Sequence, residues 1–218
     1  MAGNGARYRP ASDVVVVSNR GPVAFDRSDG ELVATKAGGG LVNALGPAVD
    51  GLGATWIAGA MSEADREAAA SGLVDAAGYR LRLLTIEPRA YRAYYDVISN
   101  STLWYLHHGL FDRVRRPAFD RRWHEAWGHY RDVNTQFAEA VGEEAPQGAT
   151  VLVHDYHLAL LGPYLAKERP DLKTVHFHHT PFASADGIRV LPDDVASELV
   201  GGLAAHGACG FHSQRWAD

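Results

Sequence analysis

The sequence predicts an α/β fold, an open parallel sheet with helices packed on both faces. Three observations carry this. Short apolar runs without alternation, such as Val14-Val15-Val16-Val17 and Val151-Leu152-Val153, suit strands buried on both sides. Segments with apolar residues at helical spacing lie between those runs. Strands alternating with helices imply right-handed βαβ units, hence a parallel sheet.

The elements follow in order. Residues 1–12 read as a polar tail. Asp13–Ser18 is the first strand, stopped by the turn sequence Asn19-Arg20-Gly21-Pro22. The polar stretch Asp26–Lys36 reads as a flexible loop. Ala37-Gly38-Gly39-Gly40 then leads into a helix start at Leu41–Leu45. Ala54–Ala58 is a strand. A helix follows with Ser62 as N-cap and Asp65 completing a capping box. Tyr79–Ile86 is a strand, and Glu87-Pro88 opens a helical segment through Tyr95. Phe119, Trp123, Trp127, Tyr130, Val133, Phe137 and Val141 mark one long amphipathic helix over 118–141, broken by Pro146-Gln147-Gly148. The remainder is regular: strand 150–153, helix 156–167, strand 174–177, helix 192–205 and strand 208–211. Asp193 and Asp194 suit the first turn of that last helix.

Composition narrows the class. The chain has 218 residues, 46% hydrophobic and 22% charged, with 23 glycines, which is ordinary globular usage apart from the glycine. Twenty-one Lys+Arg against 26 Asp+Glu leave a net charge of −5, which argues against a nucleic-acid binder. The single cysteine, Cys209, excludes an internal disulfide and suits a reducing compartment. No apolar run is long enough to span a membrane, and the start MAGNGARYRPASD does not read as a signal peptide, so a cytoplasmic protein is expected.

In open parallel sheets ligands bind beyond the carboxyl ends of the strands. Three polar clusters stand there: Ser18-Asn19-Arg20, His154-Asp155-Tyr156-His157 and His178-His179-Thr180-Pro181-Phe182. Arg20 is placed to grip a phosphate or carboxylate, or, as a surface arginine, to cap a helix or pair with an aspartate. The 37–40 glycines can offer main-chain N–H groups to a diphosphate, or act as a hinge; neither GxGxxG nor GxxxxGK[ST] is present. Asp155 can accept from sugar hydroxyls, act as a base, or cap a helix. Five of the 11 histidines fall between 154 and 179, yet no HExxH occurs and the spacing does not favour a metal site. Neutral histidines hydrogen-bonding a ligand are the better reading. Tyr94-Tyr95-Asp96 and Ser99–Trp104 combine rings with small polar groups, which suits a sugar site as well as plain packing.

VVVVSNRGPV, AGGGLVNAL, YYDVISNSTLW, VLVHDYHLALL, HFHHTPFAS, VLPDDV and ACGFHSQRW occur in this order over residues 13–217. The set resembles the amino-terminal half of the trehalose-6-phosphate synthase family, retaining glycosyltransferases of the two-Rossmann-domain GT-B architecture. The resemblance implies an amino-terminal, acceptor-side Rossmann-like domain over 13–218, with the carboxy-terminal donor domain outside this chain. It implies glucose transfer from a nucleotide-glucose, UDP-glucose foremost, to glucose 6-phosphate, without metal or other cofactor. The leaving diphosphate would help to take the acceptor proton on one face of the sugar. By the same resemblance Arg20 holds the acceptor phosphate, Tyr95 and Trp104 line its pocket, and Asp155 holds acceptor hydroxyls. His179 contacts the transferred glucose, Gly40 approaches the donor phosphates, and His179 and Asp155 form the catalytic pair. Small-molecule substrates are thus the expected partners, with homo-oligomerisation left open.

Two departures affect the acceptor. Gly59 stands where the family often has a second tryptophan, and His179-Thr180-Pro181-Phe182-Ala183 replaces HIPFP. Another phosphorylated acceptor, such as glycerol phosphate or an aminocyclitol phosphate, is therefore an alternative. A non-catalytic sugar-phosphate-binding domain is another, and a histidine-metal hydrolase ranks last.

Overall fold

The computed structural model describes residues 13–49, 52–111 and 117–217. The tail read over 1–12 lies outside them. Seven strands form one sheet: β1 (Val14–Ser18), β4 (Thr55–Gly59), β5 (Leu73–Ala76), β6 (Tyr79–Leu84), β7 (Thr150–His154), β8 (Lys173–His178) and β9 (Ala208–Phe211), in the order β5-β6-β4-β1-β7-β8-β9. All neighbours are parallel except β5, which turns back antiparallel on β6.

Consecutive side chains of β1 serve opposite cores. Val15 and Val17 face a cluster with Trp127, Tyr130 and Phe137, while Val16 faces Trp56, Ala58 and Leu81. That is why the strand is apolar without alternation. The first cluster is closed by α5 (Arg121–Glu144), whose Trp127, Tyr130, Val133, Phe137 and Val141 have no exposed surface. Each such burial stabilises by about 1.5–3 kcal/mol before entropy is counted. Asp120 caps α5 by accepting the Trp123 N–H at 2.9 Å. The predicted capping box of α2 (Glu63–Ala69) is present in full, with Ser62 and Asp65 bonded reciprocally.

The structure corrects several boundaries. The stretch read as a flexible loop, 26–36, is most of a hairpin, β2 (Val23–Ser28) with β3 (Glu31–Lys36). Its turn is Asp29-Gly30, with φ of 52° and 85°, the conformation that Asp-Gly favours between strands. The helix read through Tyr95 is α3 (Pro88–Arg92), continuing into a wide π-helical stretch, Ala93–Leu103, and then α4 (Trp104–His107). In the wide stretch Ser99 Oγ and Thr102 Oγ1 donate to carbonyls five residues back, Tyr94 O and Val97 O, at 2.8 and 2.9 Å. The helix read over 156–167 splits into a 3-10 turn, Tyr156–Leu158, and α6 (Leu161–Glu168). α1 (Gly40–Val49) and α8 (Asp193–Ala204) lie close to where the sequence predicts them; the short α7 (Ala185–Ile188) and α9 (Gln214–Ala217) and strand β5 carry no clear sequence signal. No helix among the described residues is long and apolar enough to cross a membrane.

Candidate functional site

The carboxyl ends of β1, β4, β7 and β8 converge on one edge of the sheet. A cavity of about 480 Å³ opens there, lined by Ser18–Gly21, the 37–42 loop, Gly59, Met61, Tyr95, His154, Asp155 and His157. An adjoining hollow of about 610 Å³ lies beneath α1, between Gly40, Leu41, Ala44 and Leu45 on one side and His154, Asp155, Phe177, His179 and His212 on the other. Gly40, Leu41, His154 and Asp155 border both.

The loop after β1 is held from below. The Trp56 indole N–H donates to Ser18 Oγ at 2.7 Å, and Ser18 Oγ donates to the Arg20 carbonyl at 2.7 Å. Asn19 accepts from the Tyr94 hydroxyl at 3.1 Å and donates to the Tyr91 hydroxyl at 3.3 Å. Arg20 itself is exposed, its guanidinium 5.9 Å from the Tyr95 ring centre. Among the described residues no carboxylate lies within ion-pairing distance of it, so the reading of a surface arginine paired with an aspartate fails.

Tyr95 stacks between Tyr91 and His157, with ring centres 5.4 and 5.6 Å apart. His157 continues the stack onto Tyr156 at 4.2 Å. Trp104 is set back: it lines neither cavity and stacks on His108 at 4.1 Å.

Asp155 is the most constrained residue of the site. Its backbone has φ 72° and ψ 166°, which a non-glycine residue holds only when its surroundings enforce it. Oδ1 accepts the N–H groups of Tyr156 and His179 at 3.0 and 3.2 Å, so it caps the 3-10 turn and also ties β7 to the residue after β8. The capping and functional readings are compatible. Burial pushes its carboxyl up to about 6, although those two N–H groups oppose the shift. His157 Nδ1 stands 3.8 Å from Asp155 Oδ2, yet burial, with Arg20 nearby, drives His157 down to about 3. The pair is a neutral imidazole beside a carboxylate, not a salt bridge.

The turn that presents these groups is anchored to α5. The Tyr130 hydroxyl donates to the Tyr156 carbonyl and accepts the Ala159 N–H at 3.3 Å. Asn134 donates to the His157 carbonyl at 3.1 Å and accepts the Leu160 N–H at 3.0 Å.

His154 Nδ1 and His179 Nε2 are 2.9 Å apart, and burial lowers the two imidazoles to about 3 and about 4. Among the other histidines, His107, His176, His178 and His206 are buried core residues. No three His, Cys, Asp or Glu side chains among the described residues are grouped to hold a metal ion.

Arg20, Tyr95, Asp155, Gly40 and His179 are therefore brought to one edge, as expected from the sequence, and Trp104 is not. His154, His157, Asn19, Gly59 and Met61 join them. The histidines stand inside the HDYH cluster that the strand-end rule marks. Met61 carries no such signal: it follows β4 and accepts a hydrogen bond from the Tyr91 hydroxyl at 3.3 Å.

Known proteins agree with this architecture. A trehalose-6-phosphate synthase of Mycolicibacterium vanbaalenii is 36% identical over 204 residues, covering 92% of this chain and 40% of that protein. The Mycolicibacterium smegmatis protein of the same name is 36% identical over 203 residues, with 92% and 38% covered. The chain thus spans about two-fifths of the length of these relatives. In three dimensions it matches an α,α-trehalose-phosphate synthase (UDP-forming) of Burkholderia vietnamiensis with a TM-score of 0.73 at 24% identity, covering 94% of this chain and 40% of that one. The N-terminal domain of a Candida albicans trehalose-6-phosphate phosphatase superposes with a TM-score of 0.74 at 21% identity, over 99% of this chain and 43% of that one. The family model for glycosyltransferase family 20 matches residues 12–218, and the chain belongs to that family.

Proposed function

We propose that this chain is the acceptor-side, Rossmann-like part of a glycosyltransferase that makes trehalose 6-phosphate from UDP-glucose and glucose 6-phosphate. The observation that carries the reading is one edge that joins an exposed arginine, a stacked aromatic wall, a buried carboxylate and an open glycine loop. The exposed Arg20 guanidinium suits a dianionic phosphate. Tyr95, its two faces covered by Tyr91 and His157, offers its ring edge and hydroxyl to the pyranose, and Asp155 accepts from the sugar hydroxyls. Packing gives no reason for glycine at 38 or 40, since a Cβ at either would meet nothing within 4 Å. Close main-chain approach to a diphosphate is such a reason.

In this reading the adjoining hollow under α1 takes the transferred glucose, with His179 at its wall. The chain's own residues bind, orient and desolvate. Asp155 orients the attacking hydroxyl, and the leaving diphosphate accepts its proton. No metal or other cofactor is assigned a step, and the compartment is cytoplasmic. The relatives extend well beyond the matched span, so turnover needs a further domain for the nucleotide.

The direct test uses a form that includes a nucleotide-binding domain, supplied with UDP-glucose and glucose 6-phosphate. Trehalose 6-phosphate should form; absence of transfer from every nucleotide-glucose donor would end the proposal. A second reading, a sugar-phosphate-binding domain without turnover, gains from the phosphatase N-terminal domain of the same fold. It predicts glucose 6-phosphate binding with no transfer.

A further inference from the structure

The bond between His154 and His179 carries one proton, and its placement can be deduced. Both rings are neutral near pH 7, because burial lowers both imidazoles. Two arrangements are then open. In one, His179 Nε2–H donates to His154 Nδ1. His154 must then carry its own proton on Nε2, which is buried and has no hydrogen-bond partner among the described residues. In the other, His154 Nδ1–H donates to His179 Nε2, and the buried His154 Nε2 is a bare lone pair. A buried N–H without a partner is rarer and more costly than an unused lone pair. The second arrangement is therefore favoured, and it leaves the proton of His179 on Nδ1.

We infer that His154 is a positioning residue that fixes His179 as the Nδ1–H tautomer, so that the ring lining the cavity under α1 presents a hydrogen-bond donor to a ligand oxygen. The neighbours support a fixed ring. The His179 backbone N–H is held by Asp155 Oδ1 at 3.2 Å, and its ring packs on Phe177 and His212 with centres 4.7 and 5.6 Å apart. An acceptor-only ring would repel a phosphate oxygen; a donor binds either that oxygen or a sugar hydroxyl. The identity of that ligand as a donor sugar rests on the proposed function, whereas the tautomer does not.

The test is made on this chain without substrate. Two-bond proton–nitrogen correlations on histidine-labelled protein distinguish protonated from bare ring nitrogens, with the His179 signals assigned by their loss in His179→Gln. We expect His179 protonated at Nδ1 and bare at Nε2. A proton on Nε2 would overturn the inference. His154→Glu, ionised at pH 8, places an acceptor with no donor opposite Nε2 and should draw the His179 proton onto Nε2. His154→Gln keeps an N–H that can donate to Nε2 and is expected to retain the Nδ1–H form. An unchanged tautomer in His154→Glu would also overturn the positioning role. Should His154→Glu not fold, the tautomer of the unmodified chain decides the matter. A protein with the expected tautomer and no sugar transfer would instead remove the proposed function alone.

Discussion

The two walls of the candidate site are built in opposite ways. One, at the ends of β7 and β8, is buried, hydrogen-bonded to α5 through Tyr130 and Asn134, and holds Asp155 in a strained backbone. The other is the β2–β3 hairpin, the glycine loop and the start of α1. It is largely exposed, and a Cβ added at Gly38, Gly39 or Gly40 would meet nothing within 4 Å. The hairpin is tied to α2 through Asp65, whose Oδ1 accepts the Phe25 N–H at 2.8 Å, and through an exposed Arg27–Glu67 ion pair with contacts of 2.6 and 2.8 Å. The first wall can tune ionisation, which needs desolvation and fixed partners. The second can adapt to a ligand at little cost to the fold. Mutations and pH should therefore act on stability through the first wall and on binding through the second.

Acid gives the largest expected effect. Burial holds His154, His157 and His178 down to about 3, and His179 and His206 down to about 4, from a usual 6.5. His107 and His176 are lowered in the same direction. The folded chain thus binds fewer protons than the unfolded one below pH 6.5. Stability is intact above that value and falls as the pH drops towards 4. Each ring contributes about 1 kcal/mol per pH unit, after allowance for solvent at the half-exposed ones. Asp155, raised to about 6 from 3.8, works the other way, since it takes up its proton more readily in the folded state. It is one group against several. Urea denaturation near pH 7.5 and near pH 5.5 should differ by several kcal/mol. Equal stability at the two values would mean that these rings are hydrated and the first wall is no drier than the second.

Tyr130→Phe comes next. It leaves the Tyr156 carbonyl and the Ala159 N–H without their hydroxyl partner at the turn that presents Asp155. A loss of about 2 kcal/mol is expected, read from the denaturation midpoint. Arg20→Ala, across the cavity, should leave that midpoint in place. Its effect belongs to binding: glucose 6-phosphate should weaken by about 1.5–3 kcal/mol and glucose hardly at all, measured by titration calorimetry. Equal weakening of both ligands would remove the phosphate role from Arg20.

The same contrast explains what is legible in the sequence. The first wall is built from apolar runs and an amphipathic helix, which periodicity reports directly. β7 and β8 fall within one residue of where the pattern puts them and α5 within three, and Asp155 and His179 stand at the strand ends as expected. The hairpin of the second wall has polar residues on an exposed strand, so it carries no periodic signal. Asp29-Gly30 is the one mark that could have found it. The π-helical stretch is invisible for another reason: its register depends on hydroxyl-to-carbonyl bonds from Ser99 and Thr102, which no hydrophobic pattern encodes. Within that stretch Tyr95 stacks on His157, whereas Trp104, the first residue past it, stacks on His108.

Gly40→Ala should have the smallest effect on the fold and gives the sharpest comparison of the two walls. Gly40 opens α1, its φ is not positive, and an added Cβ would meet nothing within 4 Å. Alanine there costs no contact and narrows the unfolded ensemble, so stability should stay level or rise by up to about 1 kcal/mol. Yet the same methyl would stand where the loop main chain faces both cavities. In a form that carries the nucleotide domain of the proposed function, binding of the nucleotide-sugar should weaken while the denaturation midpoint holds. A lower midpoint would show that the loop is packed and that the second wall is as rigid as the first. An unchanged midpoint with unchanged binding would show that the glycine serves no close approach, and the diphosphate would have to be sought elsewhere.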